Sequence, residues 1–125
     1  LPADKLPIVK VSESTPVTVN DAALARRLNG AIASALGSDV VVPFRQSNMG
    51  AEDFAFFVDQ QFGIPGYYFA VGGTNPEWIA AAKNGGPAVA GHHSPLFKID
   101  PEPSVRLGIE AMTAAALDLL GTGKN

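Results

Sequence analysis

The run Tyr67-Tyr68-Phe69-Ala70-Val71 sets the expected fold class of this 125-residue chain. Aromatic and β-branched residues with almost no polar content predict a strand that is apolar on both faces. Such a strand suits the centre of a sheet that helices cover on both sides. It ends at Gly72-Gly73-Thr74, and α/β proteins place ligands at this end of a strand.

Two long stripes of apolar residues at helical spacing predict the covering helices. The first follows Asn20, a predicted N-cap, and ends before Gly37; its apolar positions are Leu24, Leu28, Ile32 and Leu36. The second follows Asp100-Pro101 and ends at Gly121, and it is expected to pack on the sheet. Its apolar positions are Val105, Ile109, Met112, Ala116, Leu119 and Leu120. Arg26 and Arg27 lie off the first stripe and are interpreted as a solvated helix face.

Shorter elements complete the predicted α/β fold. Residues 5–11 and 40–42 predict two further strands, because they are rich in β-branched residues. A helix is expected to begin near Glu52, and a short one to begin at Pro76 with Asn75 as its cap. The expected fold is a small mixed sheet with about three main helices.

Composition excludes several classes of function. A net charge of −3 argues against nucleic acid as a partner, and no apolar run is long enough to cross a membrane. Zero cysteines exclude disulfides and thiolate metal sites, but they leave the compartment open. The chain starts at Leu1 without an initiator methionine and is interpreted as a fragment or a processed product.

Both histidines of the chain stand side by side in the loop Gly91-His92-His93-Ser94-Pro95. Glycine and proline fix the backbone of such a loop, and neutral imidazole is a common metal ligand. Successive side chains of an extended segment diverge, so only one of the pair is expected to bind a metal. From the residues alone, two loop histidines without any metal are an equal alternative.

An earlier stretch, residues 48–57, turns from a polar loop into an aromatic run. Glu52 and Asp53 are interpreted either as acids that stabilise the first turn of a helix or as functional residues. Gly50, expected at a helix N-terminus, would let backbone N–H groups approach an anion. A substrate carboxylate is the expected anion, with Met49 beside it.

The M-G-x-E-D-F pattern of residues 49–54 and the H-S-P-x-F pattern of residues 93–97 resemble the C-terminal signature of the M20 metallopeptidase and amidohydrolase family. They are most similar to its branch of hippurate and auxin-conjugate hydrolases. The resemblance implies the C-terminal part of a three-layer α/β/α zinc-hydrolase catalytic domain. Residues 1–16 would end a lid or dimerisation domain, and residues 17–125 would belong to the catalytic domain.

The resemblance also implies a chemistry. Enzymes of this kind use two divalent metal ions, zinc or alternatively manganese, whose bridging water attacks the amide of an N-acyl amino acid or peptide. By motif position His93 would be the one metal ligand that this chain supplies, and His92 a supporting residue at the rim. Met49 and Gly50 would bind substrate. The family's general base belongs to a Glu-Glu pair, which this sequence lacks, so the chain alone is expected to be inactive.

A homodimer is the expected assembly. The alternative to an enzyme is a noncatalytic binding or assembly module that dimerises through exposed strand edges. No G-x-S-x-G or G-x-G-x-x-G pattern is present, so a serine-hydrolase elbow or a dinucleotide loop is not indicated.

Overall fold

The computed structural model describes residues 2–45, 50 and 52–121 of the chain. Four α-helices lie in this part: α1 (Ala22–Leu36), α2 (Phe54–Phe57), α3 (Pro76–Lys83) and α4 (Pro101–Leu120). Turns of 3₁₀-helix occur at Ala3–Lys5, Ser38–Val40 and Gln60–Phe62. Among the described helices none is both long and apolar enough to cross a membrane.

The chain divides into two contact units. The first combines Leu1–Leu24 with Phe44–Tyr68, and the second combines Ala25–Pro43 with Phe69–Asn125. This division does not test the boundary predicted between residues 16 and 17, which stays a prediction.

The predicted sheet is absent from the described residues, so the α/β fold class is wrong for this structure. Val40 closes a 3₁₀ turn, and Val41 and Val42 after it form no strand, although Val41 is extended. Residues 6–11 and 66–72 have no regular structure, and Ile8, Val9 and Val11 are exposed. β-Propensity describes residues that fit a pleated surface, but it does not supply the neighbouring strand. Strand edges, the predicted dimerisation surface, are therefore absent from this part of the chain as well.

The backbone of the apolar run 67–71 is partly paired with a side chain. The Asn20 carboxamide donates from Nδ2 to the Tyr68 carbonyl at 2.7 Å and accepts from the Tyr68 N–H at 2.7 Å. The Asp21 N–H donates to the Gly66 carbonyl at 2.8 Å. Asn20 thus satisfies the two groups that a neighbouring strand would otherwise take.

Asp21, rather than Asn20, caps α1. Its Oδ1 accepts from the Leu24 N–H at 2.7 Å, which satisfies one of the free donors at the start of a helix. The helix ends as the sequence predicts, because Gly37 adopts a φ of 105° and its N–H donates to the Ala33 carbonyl at 2.9 Å. The predicted Asn20 cap is therefore wrong by one residue, whereas the glycine stop is confirmed.

The other helices follow their local signals to different degrees. Asn75 caps α3 by accepting from the Glu77 N–H at 2.8 Å, and α4 starts at Pro101 and ends before Gly121, as predicted. The helix expected from Glu52 is shorter than predicted, because α2 begins only at Phe54. Asp53 occupies its N-cap position without a side-chain hydrogen bond.

The core of the second unit lies on α1 and on a face of α4 that the sequence did not indicate. Leu28 and Ile32 are buried on α1, within the predicted stripe. On α4 the buried residues are Ala111 and Ala115, whereas the predicted core residue Met112 is exposed. The rest of the predicted α4 stripe is exposed too: Val105, Ile109, Ala116, Leu119 and Leu120.

The buried face of α4 consists of small residues. Gly108 lies on the same side of the helix, where an added Cβ would be in ordinary contact with the Val71 side chain, at 3.9 Å. Arg27 of α1 also joins α4: its Nε lies 2.6 Å from Asp118 Oδ2, and its Nη2 donates to the Asp118 carbonyl at 2.8 Å. Arg27 is exposed, as the predicted solvated face implies, and its contact with Asp118 is an ion pair at the surface of the unit.

The first unit is held together around Gly66 and Tyr68. Ala55 of α2 is buried, and the Phe54 ring lies 5.6 Å from the Tyr68 ring, measured between centroids. Gly66 is buried against Val58, whose Cγ1 would come within 2.3 Å of an added Cβ. This glycine lets two loop segments approach more closely than any other residue would allow.

Candidate functional site

The two histidines lie in a tight turn of the second unit. The Ser94 N–H donates to the Gly91 carbonyl at 3.4 Å, so His92 and His93 occupy its central positions. His93 has a φ of 64°, and it is the one non-glycine residue with a positive φ in the described part of the chain. Turns with a left-handed third residue favour glycine or asparagine there. Histidine at this position costs on the order of 1 kcal/mol.

The two imidazoles have different surroundings. The His92 ring stacks on Phe97, with ring centroids 4.8 Å apart and planes inclined by 29°. Both histidines are exposed, but the described residues give the His93 ring neither a hydrogen bond nor a ring contact. His92 is therefore engaged in packing, whereas His93 is presented to its surroundings by a strained turn.

Ser94 holds the following backbone rather than serving chemistry. Its Oγ accepts from the Leu96 N–H at 3.1 Å, and its carbonyl accepts from the Phe97 N–H at 3.0 Å. Both hydrogen bonds extend the turn beyond His93, and they fix the backbone on either side of Pro95.

Asp100 anchors the far end of the histidine loop. Its N–H donates to the Gly73 carbonyl at 2.7 Å, and its Oδ2 accepts from Asn75 Nδ2 at 2.7 Å. Its carbonyl accepts from the Ser104 hydroxyl at 2.6 Å, inside the first turn of α4. The loop after the apolar run and the start of α4 are therefore joined at one residue, through its N–H, its carboxylate and its carbonyl. The sequence leaves this role of Asp100 open.

Asn75 completes the anchor from the other side. Its Oδ1 caps α3 while its Nδ2 holds Asp100, so both ends of one carboxamide are used. The capping bond has a local sequence signal, because Asn75 directly precedes a proline. The bond to Asp100 joins residues that are 25 positions apart, and no local sequence signal predicts it.

A cation–π contact lies next to this anchor in sequence. Lys98 Nζ lies 4.2 Å from the centroid of the Trp78 ring. Such a contact contributes about 0.5–1 kcal/mol at an exposed site. The prediction that Trp78 serves packing fits this contact, because the ring face is occupied by a side chain of the same unit.

In the first unit, the Glu52 carboxylate changes the pKa of the Tyr68 hydroxyl. A hydrogen bond to the Glu52 carboxylate, together with burial and the negative charge of Glu52, raises the pKa of the Tyr68 hydroxyl above 10.0. Glu52 lies before α2 and holds the Tyr68 hydroxyl. This role differs from both roles that the sequence suggests for Glu52, stabilising the first turn of a helix and taking part in function. Nothing in local spacing indicates this pair, since the two residues are far apart in the sequence.

The predicted substrate contacts are in the same stretch. Met49 lies outside the described residues, and Gly50 is described and exposed. Because α2 begins at Phe54, Gly50 is not at a helix N-terminus, and the helix-dipole argument for anion binding does not apply to it. Its role in substrate binding stays a prediction.

An open depression lies in the first unit, and its lining comes from residues 16, 17, 19–22, 58, 59 and 63–66. Both of its carboxylates are engaged with backbone: Asp21 caps α1, and Asp59 accepts from the Gln61 N–H at 3.0 Å. The remaining walls are mainly proline and aliphatic side chains, so the depression offers little chemistry of its own.

The described residues contain no complete set of metal ligands. Among residues 2–45, 50 and 52–121, no three His, Asp or Glu side chains lie close enough together to hold one ion. A catalytic zinc takes three protein ligands and keeps one position for water. The residues described do not fit a complete metal site by themselves.

Comparison with known families agrees with the resemblance of the two motifs. A model of Peptidase family M20/M25/M40 matches residues 7–118, and the chain therefore belongs to this family of peptidases. The family generally uses divalent metal ions. Searches of curated proteins and of solved structures gave no match.

Proposed function

We propose that this chain forms part of a metal-dependent amidohydrolase that cleaves N-acyl amino acids or small peptides, of the hippurate and auxin-conjugate hydrolase type. The observation that carries the proposal is the turn at Gly91–Ser94, in which His93 is exposed and has a left-handed backbone, within an M20-family sequence. Retaining an unfavourable backbone conformation at such a residue supports a functional reason for its position.

Within this proposal His93 is the metal ligand and His92 supports it. His92 packs on Phe97 and so steadies the turn, which limits the directions available to the His93 side chain. The Asp100–Asn75 anchor fixes the other end of the loop. In this proposal these two contacts would hold the one ligand of the chain at a defined place.

One imidazole does not make a catalytic metal site. We therefore propose that the other ligands and the general base come from residues outside the described part. By itself the 125-residue chain is expected to bind zinc weakly and not to hydrolyse amides. Gly50 and Met49 remain proposed contacts of the substrate carboxylate.

Zinc titration followed by NMR tests the assignment of the ligand. The chain has only two histidines, so its imidazole signals are easily assigned with the variants His92→Ala and His93→Ala. We expect added Zn²⁺ to shift the His93 signals in the parent and in His92→Ala, and to leave the His92 signals of His93→Ala almost unchanged. A response of His92 alone, or an equal response of both rings, would contradict the assignment.

An activity assay tests the second half of the proposal. The parent chain with excess zinc is incubated with an N-benzoyl amino acid, and release of the free amino acid is measured. No release above the rate with zinc alone is expected. Release that His93→Ala abolishes and His92→Ala preserves would refute the claim that further ligands are needed.

A further inference from the structure

Two asparagines of the chain, Asn29 and Asn84, are each followed directly by glycine. Asparagine is one of the thermolabile residues. It deamidates when the backbone nitrogen of the next residue attacks its side-chain carbonyl carbon. Glycine as the next residue leaves this attack unobstructed, because it has no side chain. The two Asn-Gly steps are therefore chemically alike, and the structure around each of them decides whether it reacts.

The first Asn-Gly step lies inside a helix. Asn29 and Gly30 are near the middle of α1, between the buried residues Leu28 and Ile32. Each interior N–H of an α-helix donates to the carbonyl four residues earlier, so the Gly30 nitrogen is held away from the Asn29 side chain. Freeing it requires several helical hydrogen bonds to break and a core residue to be uncovered. Such an opening is among the more costly ones of a folded chain.

The second Asn-Gly step forms the end of a helix. Asn84 is the C-cap of α3, and Gly85 follows it with a φ of 87°. The Gly86 N–H donates to the Ala81 carbonyl at 2.9 Å, and the Gly85 N–H donates to the Ala82 carbonyl at 3.3 Å. These two bonds make up the Schellman ending of a helix. The longer of them holds the nitrogen that would react.

The surroundings of Asn84 make this ending easy to open. Asn84 and Gly85 are both exposed, and within the described residues the Asn84 carboxamide has no hydrogen bond. The observed ψ of 22° turns the Gly85 nitrogen away from the Asn84 side chain, so a rotation about the Cα–C bond must precede the attack. That rotation breaks hydrogen bonds at the surface, and α3 has no buried residue that it would uncover.

We propose that Asn84 is a deamidation site of the folded chain and that Asn29 is protected by its helix. The Gly85 nitrogen loses its proton and bonds to Asn84 Cγ, the side-chain nitrogen leaves as ammonia, and a five-membered succinimide closes. Water then opens the ring at either carbonyl, which gives aspartate or isoaspartate. Nothing is oxidised or reduced, and water is the co-reactant. The proposal depends neither on His93 nor on the hydrolase function.

Either product disturbs the end of α3. The new carboxylate places a negative charge at the C-terminus of a helix, where the helix dipole favours a cation. In isoaspartate the main chain runs through the former side chain, which lengthens it by one carbon between residues 84 and 85. The two Schellman bonds then lose their observed geometry, so the last turn of α3 should loosen.

Peptide mapping by mass spectrometry tests the site. Trypsin releases residues 28–45, and a protease that cleaves after glutamate releases residues 78–110, because Glu102 precedes a proline. Each peptide contains a single asparagine, so a mass gain is assigned to one site. The folded chain is incubated in mildly alkaline buffer and sampled over time. Residues 78–110 should gain the roughly 1 Da of deamidation at least about tenfold faster than residues 28–45.

Two controls separate chemistry from structure. In guanidinium chloride both peptides should gain mass at similar rates, because each asparagine precedes a glycine. Asn84→Gln keeps an exposed carboxamide but would have to close a larger ring, so it should abolish the gain at residues 78–110.

Several outcomes would overturn the proposal. Equal rates at the two sites of the folded chain, or a faster gain at residues 28–45, would show that the helix does not protect Asn29. No gain at residues 78–110, while the unfolded chain reacts at both sites, would show that the end of α3 protects Asn84 as well. A gain that survives Asn84→Gln would place the reaction at another residue.

Discussion

Replacing Gly66 with alanine should destabilise the first unit by steric conflict alone. An added Cβ would lie 2.3 Å from Val58 Cγ1, 2.9 Å from its Cβ and 3.1 Å from its Cγ2. Favourable carbon contacts occur near 3.5–4.0 Å, so the overlap exceeds about 1 Å. The backbone of Gly66 is not left-handed, and alanine is therefore not excluded by its own conformation.

The expected cost follows from this overlap. Overpacking of a filled site costs about 1–3 kcal/mol. Moving the segment would also strain the hydrogen bond from the Asp21 N–H to the Gly66 carbonyl, worth about 0.5–1.5 kcal/mol. Alanine also lowers the conformational entropy of the unfolded chain, which offsets this loss of stability by about 0.4–1 kcal/mol. We expect Gly66→Ala to lower the free energy of unfolding by about 2 kcal/mol.

Gly72→Ala is the matched control, because nothing lies within 4 Å of its added Cβ and its φ is not left-handed. Urea denaturation of both variants should show a lower midpoint for Gly66→Ala only. Val58→Ala removes two of the three clashing atoms. In the double variant, Gly66→Ala should therefore cost only about half as much free energy of unfolding as it does alone, and the difference is the coupling energy between the two sites. Equal midpoints for the two glycine variants, or strictly additive effects of Gly66→Ala and Val58→Ala, would refute the steric argument.

Two further predictions concern electrostatics. Because the pKa of Tyr68 is raised above 10.0 in the folded chain, its bond to Glu52 stabilises the fold below pH 10, and this contribution is lost as the pH rises through the folded pKa. Glu52→Ala should lower the pKa of Tyr68, as followed by tyrosinate absorbance in a variant whose other tyrosine is phenylalanine; an unchanged titration would contradict it. Arg27→Ala should cost about 0.5–1 kcal/mol by breaking its contacts with Asp118, whereas Arg26→Ala should cost almost nothing in the same denaturation assay.

Helix boundaries were predictable where a local signal determines them. Gly37, Asn75 and Gly121 stop or start helices through bonds within a few residues, and the sequence shows these signals directly. The face of α4 was not predictable in the same way. Periodicity shows that an apolar stripe exists, but it does not say whether a neighbour covers that stripe or the small residues Ala111 and Ala115.

The candidate site was predictable in part for a similar reason. Two short motifs sufficed to predict the M20 family, and the family match over residues 7–118 confirms it. The hippurate-hydrolase branch and the metal-binding role of His93 stay predictions. The Asp100–Asn75 and Glu52–Tyr68 contacts join residues that are distant in sequence, and no pattern of residues along the chain indicates which of them meet.

Asn20 shows how one edge of an apolar, strand-like run can be occupied without a neighbouring strand. A carboxamide has the same donor and acceptor as a peptide unit, so it can pair with one residue, here Tyr68, as a neighbouring strand would. It cannot continue the ladder, which needs a new pair at every second residue along that edge. The N–H and C=O of one strand residue point to the same side. A strand that joined this edge would therefore have to displace Asn20, so that the observed pairing and a sheet at this edge exclude one another.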